Sequence, residues 1–154
     1  MLKVRRLRGE QGNALVEFAL AITVLLTLLF GIIDIGRALY AYDWLYNSAR
    51  QATRWAMVRG YFCNNLLPGC PADKTAISNY VTNSNGSGLD TTGIDTSAVN
   101  VSSLCYVTNT PASNPPCAPP AWIQIQVRYQ FHFITPFLTN TPWTMTSSSQ
   151  RVVQ

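Results

Sequence analysis

Four cysteines and one histidine are the side chains of this chain best suited to cross-linking or to metal ligation. They are Cys63, Cys70, Cys105, Cys117 and His132. Six and eleven residues separate the members of the two sequential cysteine pairs, whereas zinc knuckles place only two to four residues between cysteines. We therefore expect disulfides of an oxidising compartment, and favour pairing Cys63 with Cys70 and Cys105 with Cys117, because each bond would close one Pro/Asn-rich loop. A zinc site is the weaker alternative, so we predict no metal and no cofactor.

Residues for enzymatic chemistry do not form a recognisable set. His132 lies among glutamine and arginine on the polar side of an alternating segment, which favours solvent exposure over catalysis. The sequence has no glycine-rich phosphate loop with Lys-Ser/Thr, no nucleophile elbow and no His-Glu-x-x-His motif. We predict a protein that is not an enzyme and has no small-molecule substrate. A metal-dependent periplasmic enzyme would require the cysteines and His132 to converge.

Charge is scarce and unevenly distributed. The 154 residues are enough for one ordinary domain, and charged residues make up only 12%, about half the usual quarter. The formal charge is +4, of which the first ten residues contribute +3. A nucleic-acid-binding surface needs clustered basic residues on the folded body, so we predict no nucleic-acid partner.

Two carboxylates flank a long apolar segment. Residues 18–33 carry no charge, Glu17 precedes them and Asp34 follows. Sixteen helical residues span about 24 Å, close to the thickness of a hydrocarbon layer, so we expect a single transmembrane helix with the acids near its edges. No small-x-small cleavage signal ends the segment, which favours a retained helix over a secretory signal. The basic residues before it predict a cytoplasmic N-terminus, with the rest of the chain on the other side of the membrane.

The start of this helix has the spacing of a processing site. Gly12 is followed by Asn13, then by Glu17 and Phe18, between a basic leader and the apolar segment. This resembles a type IVb prepilin site, which implies that a prepilin peptidase cleaves after Gly12 and leaves Asn13 as the first residue. The resemblance also implies that Glu17 pairs with an amino terminus and guides helix packing, since a lone carboxylate in lipid is costly. The alternative is an ordinary anchor in which this spacing is accidental.

Residues at both ends of the apolar segment and beyond it make the resemblance specific to one family. The segments at 30–40 and 47–56, together with Val-Glu-Phe-Ala at 16–19, are similar to the TadE-like family of the tight-adherence pilus machinery. That resemblance implies a pseudopilin-like membrane protein whose partners are the prepilin peptidase and other pseudopilins or pilins. Asp34 and Arg37 correspond to the acid and the Gly-Arg that follow the span in that family. Thr23 stands where many members have a kinking proline, which predicts a straighter helix.

The helix is predicted to continue to about Arg59. Eight mostly small residues form one face at alternating steps of three and four: Gly31, Ile35, Ala38, Tyr42, Leu45, Ala49, Ala52 and Ala56. This face could pack on the protein's own C-terminal domain or on a neighbouring subunit. We divide the chain into a leader (1–12), a transmembrane helix (13–36), its periplasmic extension (37–60) and a small extracytoplasmic domain (61–154).

The sequence of the C-terminal part predicts a small α+β domain. We predict a short helix over 71–82, capped by Asp73, and strands over 99–107, 123–133 and 144–153. Residues 123–133 alternate strictly between apolar and polar side chains, as in a half-buried antiparallel strand. The predicted fold is therefore pilin-like, a long transmembrane helix packed on a small antiparallel sheet with one additional short helix.

Three functions remain open. The first is a pseudopilin or minor pilin in the inner membrane that helps assemble a Tad/Flp-type pilus for surface adherence or secretion, either from the membrane or as part of the filament. The second is an uncleaved anchor that presents a periplasmic binding module. The third is the metal-dependent enzyme.

Overall fold

A long helix and a four-stranded sheet make up most of the structure, a computed structural model that describes residues 10–61, 63, 70–82, 89–107, 110–135 and 141–153. Helix α1 (Glu10–Val58) is followed by α2 (Lys74–Thr82) and by a short 3-10 turn (Thr96–Ala98). The strands are β1 (Val99–Val107), β2 (Thr110–Ser113), β3 (Trp122–Phe131) and β4 (Trp143–Val152). This is the α+β arrangement that the sequence predicts. The leader residues 1–9 lie outside the described part.

Helix α1 is continuous over 49 residues and is therefore about 74 Å long. Thr23 and Thr27 each donate their hydroxyl to the carbonyl four residues earlier, at 2.7 and 2.8 Å, so both polar groups are satisfied within the apolar segment. The helix runs through Thr23 without interruption. By length and composition this helix can cross a membrane, and its most apolar stretch is almost fully exposed.

The sheet is antiparallel throughout, in the order β2-β1-β3-β4. Central strand β3 has the alternation seen in the sequence, because its inward side chains are all buried: Ile123, Ile125, Val127, Tyr129 and Phe131. The opposite face carries glutamines and Arg128. Strand β2 was not predicted, because it has only four residues, includes Pro111 and lies at the sheet edge.

The outer half of α1 packs on the buried face of the sheet, and α2 packs against both. Small residues such as Ala49 and Ala52 are fully buried and let the helix backbone approach the strands. The partner of this face is therefore the protein's own domain. The prediction is wrong for two residues of this face, Ile35 and Tyr42, because their side chains are 62% and 59% exposed. Ala41, one position earlier than Tyr42, is buried instead, since a methyl group fits the close approach of helix and sheet.

Candidate functional site

The predicted processing residues lie in the first three turns of α1. Gly12, Asn13, Glu17 and Phe18 are all exposed, and a side chain added at Gly12 would meet nothing within 4 Å. Within the described residues, Glu17 has no hydrogen-bond or ion-pair partner. Among the residues the structure describes, this acid at the start of the apolar segment is therefore left without a partner, which is costly in an apolar environment.

A buried carboxylate lies where α1 leaves its apolar segment. Asp34 is only 2% exposed and accepts hydrogen bonds from the backbone N–H groups of Ile134, at 3.1 Å, and Thr135, at 2.9 Å. The Thr135 hydroxyl donates a further, short hydrogen bond to the same carboxylate. Strand β3 ends at Phe131, two residues earlier than predicted, because residues 132–135 leave the sheet to reach Asp34.

Arg37 completes this junction from the next turn of α1. Its Nη1 donates to Asp34 Oδ1 at 3.3 Å, a contact that a separation of three residues on a helix allows, and to the carbonyl of His132 at 3.4 Å. The guanidinium also lies 5.2 Å from the centroid of the Phe131 ring. Asp34 and Arg37 therefore bind the domain to the helix at the end of the apolar segment. Sequence reasoning missed Ile134 and Thr135, because no local signal links residues 100 positions apart.

Two aromatic side chains of α1 hold the segment that precedes β1. The Tyr40 hydroxyl donates to the carbonyl of Thr92, and Trp44 Nε1 donates to the carbonyl of Asp90, both at 2.7 Å. In the same segment, the hydroxyl and backbone N–H of Thr92 donate to Asp90 and lower its pKa. These contacts show that the aromatic residues beyond the apolar segment pack on the domain as well as face outward.

All four thiols are used in disulfides. Cys63 pairs with Cys70 and Cys105 with Cys117, each with 5.5 Å between Cα atoms, which is the connectivity favoured from the sequence. The second bond joins β1 to the segment before β3. With no free thiol left, the zinc alternative loses its cysteine ligands, and His132 is exposed on the sheet margin.

The comparison with protein families agrees with the resemblance seen in the sequence. A family model described as TadE-like protein matches residues 12–54, which include Gly12, Glu17, Asp34 and Arg37. The match covers most of α1 and none of the sheet. No curated protein and no solved structure matches the chain. TadE-like proteins are structural pilus components, and the match and the apolar helix together fit a Tad pilus-associated membrane protein, with a helical anchor and a folded domain.

Proposed function

We propose that this chain is a TadE-like pseudopilin or minor pilin, a structural subunit used to assemble a Tad/Flp-type IVb pilus. One observation carries the proposal. The helix matched by the family model has two different halves, an exposed apolar half that begins with the Gly12–Glu17 spacing and a half packed on the sheet. A subunit of this design has a membrane-embedded helix free for lateral packing and a domain rigidly attached to it.

The proposed location is the bacterial inner membrane, with one crossing, a cytoplasmic N-terminus and a periplasmic domain. Basic residues before the helix favour this orientation by the positive-inside rule. The two disulfides support it independently, because such bonds persist in an oxidising compartment and are rare in the cytoplasm.

The proposed processing step is hydrolysis of the Gly12–Asn13 peptide bond by the prepilin peptidase. That bond lies in the first turn of α1, where the N–H groups have no helical acceptors and glycine weakens the helix. This turn can therefore open at low cost to enter a protease site. Cleavage adds a positive α-amino group to Asn13, one helical turn from Glu17, and a neighbouring subunit could supply the same group to this carboxylate.

The test is the N-terminal residue and intact mass of the protein isolated from membranes of its native host. A chain that begins at Asn13 is the expected result. Gly12→Leu should abolish cleavage, since a bulky side chain would then occupy the scissile position, whereas Gly9→Leu should not. Gly9 is the matched control because alanine, not glutamate, lies five residues after it. An intact Met1 in the unmodified protein would contradict the proposal and favour the uncleaved anchor with a binding module.

A further inference from the structure

A basic and aromatic groove lies between α1 and α2, on the side of the long helix away from the sheet. Its volume is about 580 Å³, and it is lined by Asn47, Arg50, Gln51, Arg54, Trp55 and Tyr80. The role proposed above uses none of these side chains. The groove is large enough for several amino-acid side chains, far more than a single small anion needs.

The groove has two positive charges that form no ion pair with any acidic side chain the structure describes. Arg50 and Arg54 are one helical turn apart, so their guanidinium groups repel each other. Six of the seven acidic side chains, all but that of Glu10, lie in the described part of the chain, and neither arginine forms an ion pair with any of these six. Arg50 instead lies 4.9 Å from the centroid of the Tyr46 ring. A ligand with two carboxylates would remove this repulsion and satisfy both guanidinium groups, which bind carboxylates through paired N–H donors.

One wall of the groove is flat and aromatic. Trp55 stacks on Tyr80 with 4.8 Å between ring centroids and 20° between ring planes. Arg59 lies 4.5 Å over the Trp55 ring and helps hold it in place. The wall offers an apolar or aromatic side chain a surface beside the two arginines. This combination suits a polypeptide segment better than a free anion, which would use only the charges.

Distance from the membrane excludes lipid headgroups as the natural occupant. Arg50 is 17 residues beyond Ile33, about 25 Å along the helix. Even at a tilt of about 40°, Arg50 would stand about 20 Å above the hydrocarbon, whereas the headgroup layer is only about 5–8 Å thick. This step rests on α1 being the membrane anchor.

A second copy of this chain is also a poor occupant. Every exposed aspartate beyond the apolar segment already accepts a hydrogen bond from its own chain: Asp43 from Asn47, Asp73 from Ala76, Asp90 from Thr92 and Asp95 from Ser97. No two of these aspartates are neighbours in the sequence, so the described part of the domain does not present a pair of adjacent, unengaged carboxylates to the two arginines.

We infer that the groove binds an acidic segment of a different protein outside the membrane. Arg50 and Arg54 each pair with a carboxylate of that segment, and an apolar side chain next to those carboxylates packs on Trp55 and Tyr80. The pilus proposal names a class of partners, and this inference gives the chemistry by which one of them is recognised.

The test uses the purified full-length protein in detergent micelles and a fluorescent octapeptide of alternating glutamate and phenylalanine, blocked at both ends. Its matched control replaces every glutamate by glutamine. We expect the glutamate peptide to bind at least about tenfold more tightly, because charge-assisted pairs are the stronger hydrogen bonds. The double variant Arg50→Gln/Arg54→Gln should lose at least about tenfold in affinity. Arg128→Gln, which removes an exposed arginine from the outer face of the sheet, should bind as the unmodified protein does.

Several outcomes would overturn the inference. These are no binding of the glutamate peptide to the unmodified protein, equal binding of both peptides, or equal losses in the groove and Arg128 variants. Vesicles with and without phosphatidylglycerol provide the lipid arm, and groove-dependent binding to the anionic vesicles alone would assign the site to lipid instead. Unchanged thermal melting of the variants shows that they are folded. Cleavage after Gly12 plays no part in this assay. The groove inference can therefore fail while the pilus proposal stands, and the pilus proposal can fail while the groove inference stands.

Discussion

Replacing Asp34 by alanine should uncouple the domain from the point where the helix leaves its apolar segment. The substitution removes the acceptor of three donors from Ile134 and Thr135, two of them backbone N–H groups that would remain close to the helix. A hydrogen bond to a charged group contributes about 1.5–3 kcal/mol. Because the three share one carboxylate, their contributions do not add fully, and we expect a loss of about 4 kcal/mol.

The Arg37 pair adds little to this figure. The Arg37 side chain is 43% exposed, and ion pairs that solvent screens contribute at most about 1 kcal/mol. The expected loss is nevertheless a large part of the 5–15 kcal/mol by which domains are typically stable. At about 2–4 °C per kcal/mol for a protein of this size, Asp34→Ala should melt roughly 8–16 °C lower.

Two measurements in detergent micelles test this expectation. Thermal unfolding gives the stability, and amide hydrogen exchange reports directly on the N–H groups of Ile134 and Thr135, which should lose protection in Asp34→Ala. Asp43→Ala is the matched control, because Asp43 lies on the same helix, is exposed and accepts one side-chain hydrogen bond, from Asn47. If Asp34→Ala melts within about 2 °C of this control and both amides stay protected, the structural role assigned to Asp34 is refuted.

Two further predictions concern the other carboxylates. Glu17→Leu should leave membrane insertion unchanged and reduce pilus yield in the native host, since leucine enters lipid readily but cannot pair with an amine. The control is Thr27→Leu, a substitution within the apolar segment that follows Glu17, which should leave pilus yield unchanged. Equal yields from both variants would argue against a pairing role. Hydrogen bonds from Ser97 lower the pKa of Asp95 below its ordinary value of 3.8. The ionised Asp95 carboxylate therefore stabilises the fold above pH 3.8, and this stabilisation is lost as the pH falls through the lowered pKa. Melting temperatures between about pH 5 and pH 2 should therefore fall less steeply in Asp95→Asn, and identical slopes would contradict this assignment.

Periodic features of the chain could be predicted from the sequence, because their signals are local. The alternation over 123–133 located β3 and its buried face, and the long apolar run located α1. The cysteine pairing followed from loop closure between sequence neighbours. The match to the TadE-like family likewise falls on α1, where the sequence pattern is strongest.

Features that depend on contacts between distant residues could not be predicted. The sequence shows that Asp34 and Arg37 can pair, but not that the loop after β3 surrounds the carboxylate. Arg50 and Arg54 appear in the sequence as mutually repelling charges, and only the position of α2 makes them one side of a groove. Ile35 and Tyr42 were placed on the packed face because they are apolar, whereas the close approach of the sheet selects smaller side chains.

The unbroken course of α1 has a mechanical consequence for the proposed membrane anchor, because any tilt of its apolar half would be transmitted to the outer domain. From Ile33 to Val58 the helix extends about 37 Å without a hinge, and the sheet is fixed along most of that length. A change in helix tilt of about 20°, well within the range that bilayers tolerate, would swing the far end sideways by about 13 Å. Small rearrangements among helices in the lipid would thus be amplified into displacements of the outer domain as wide as a helix.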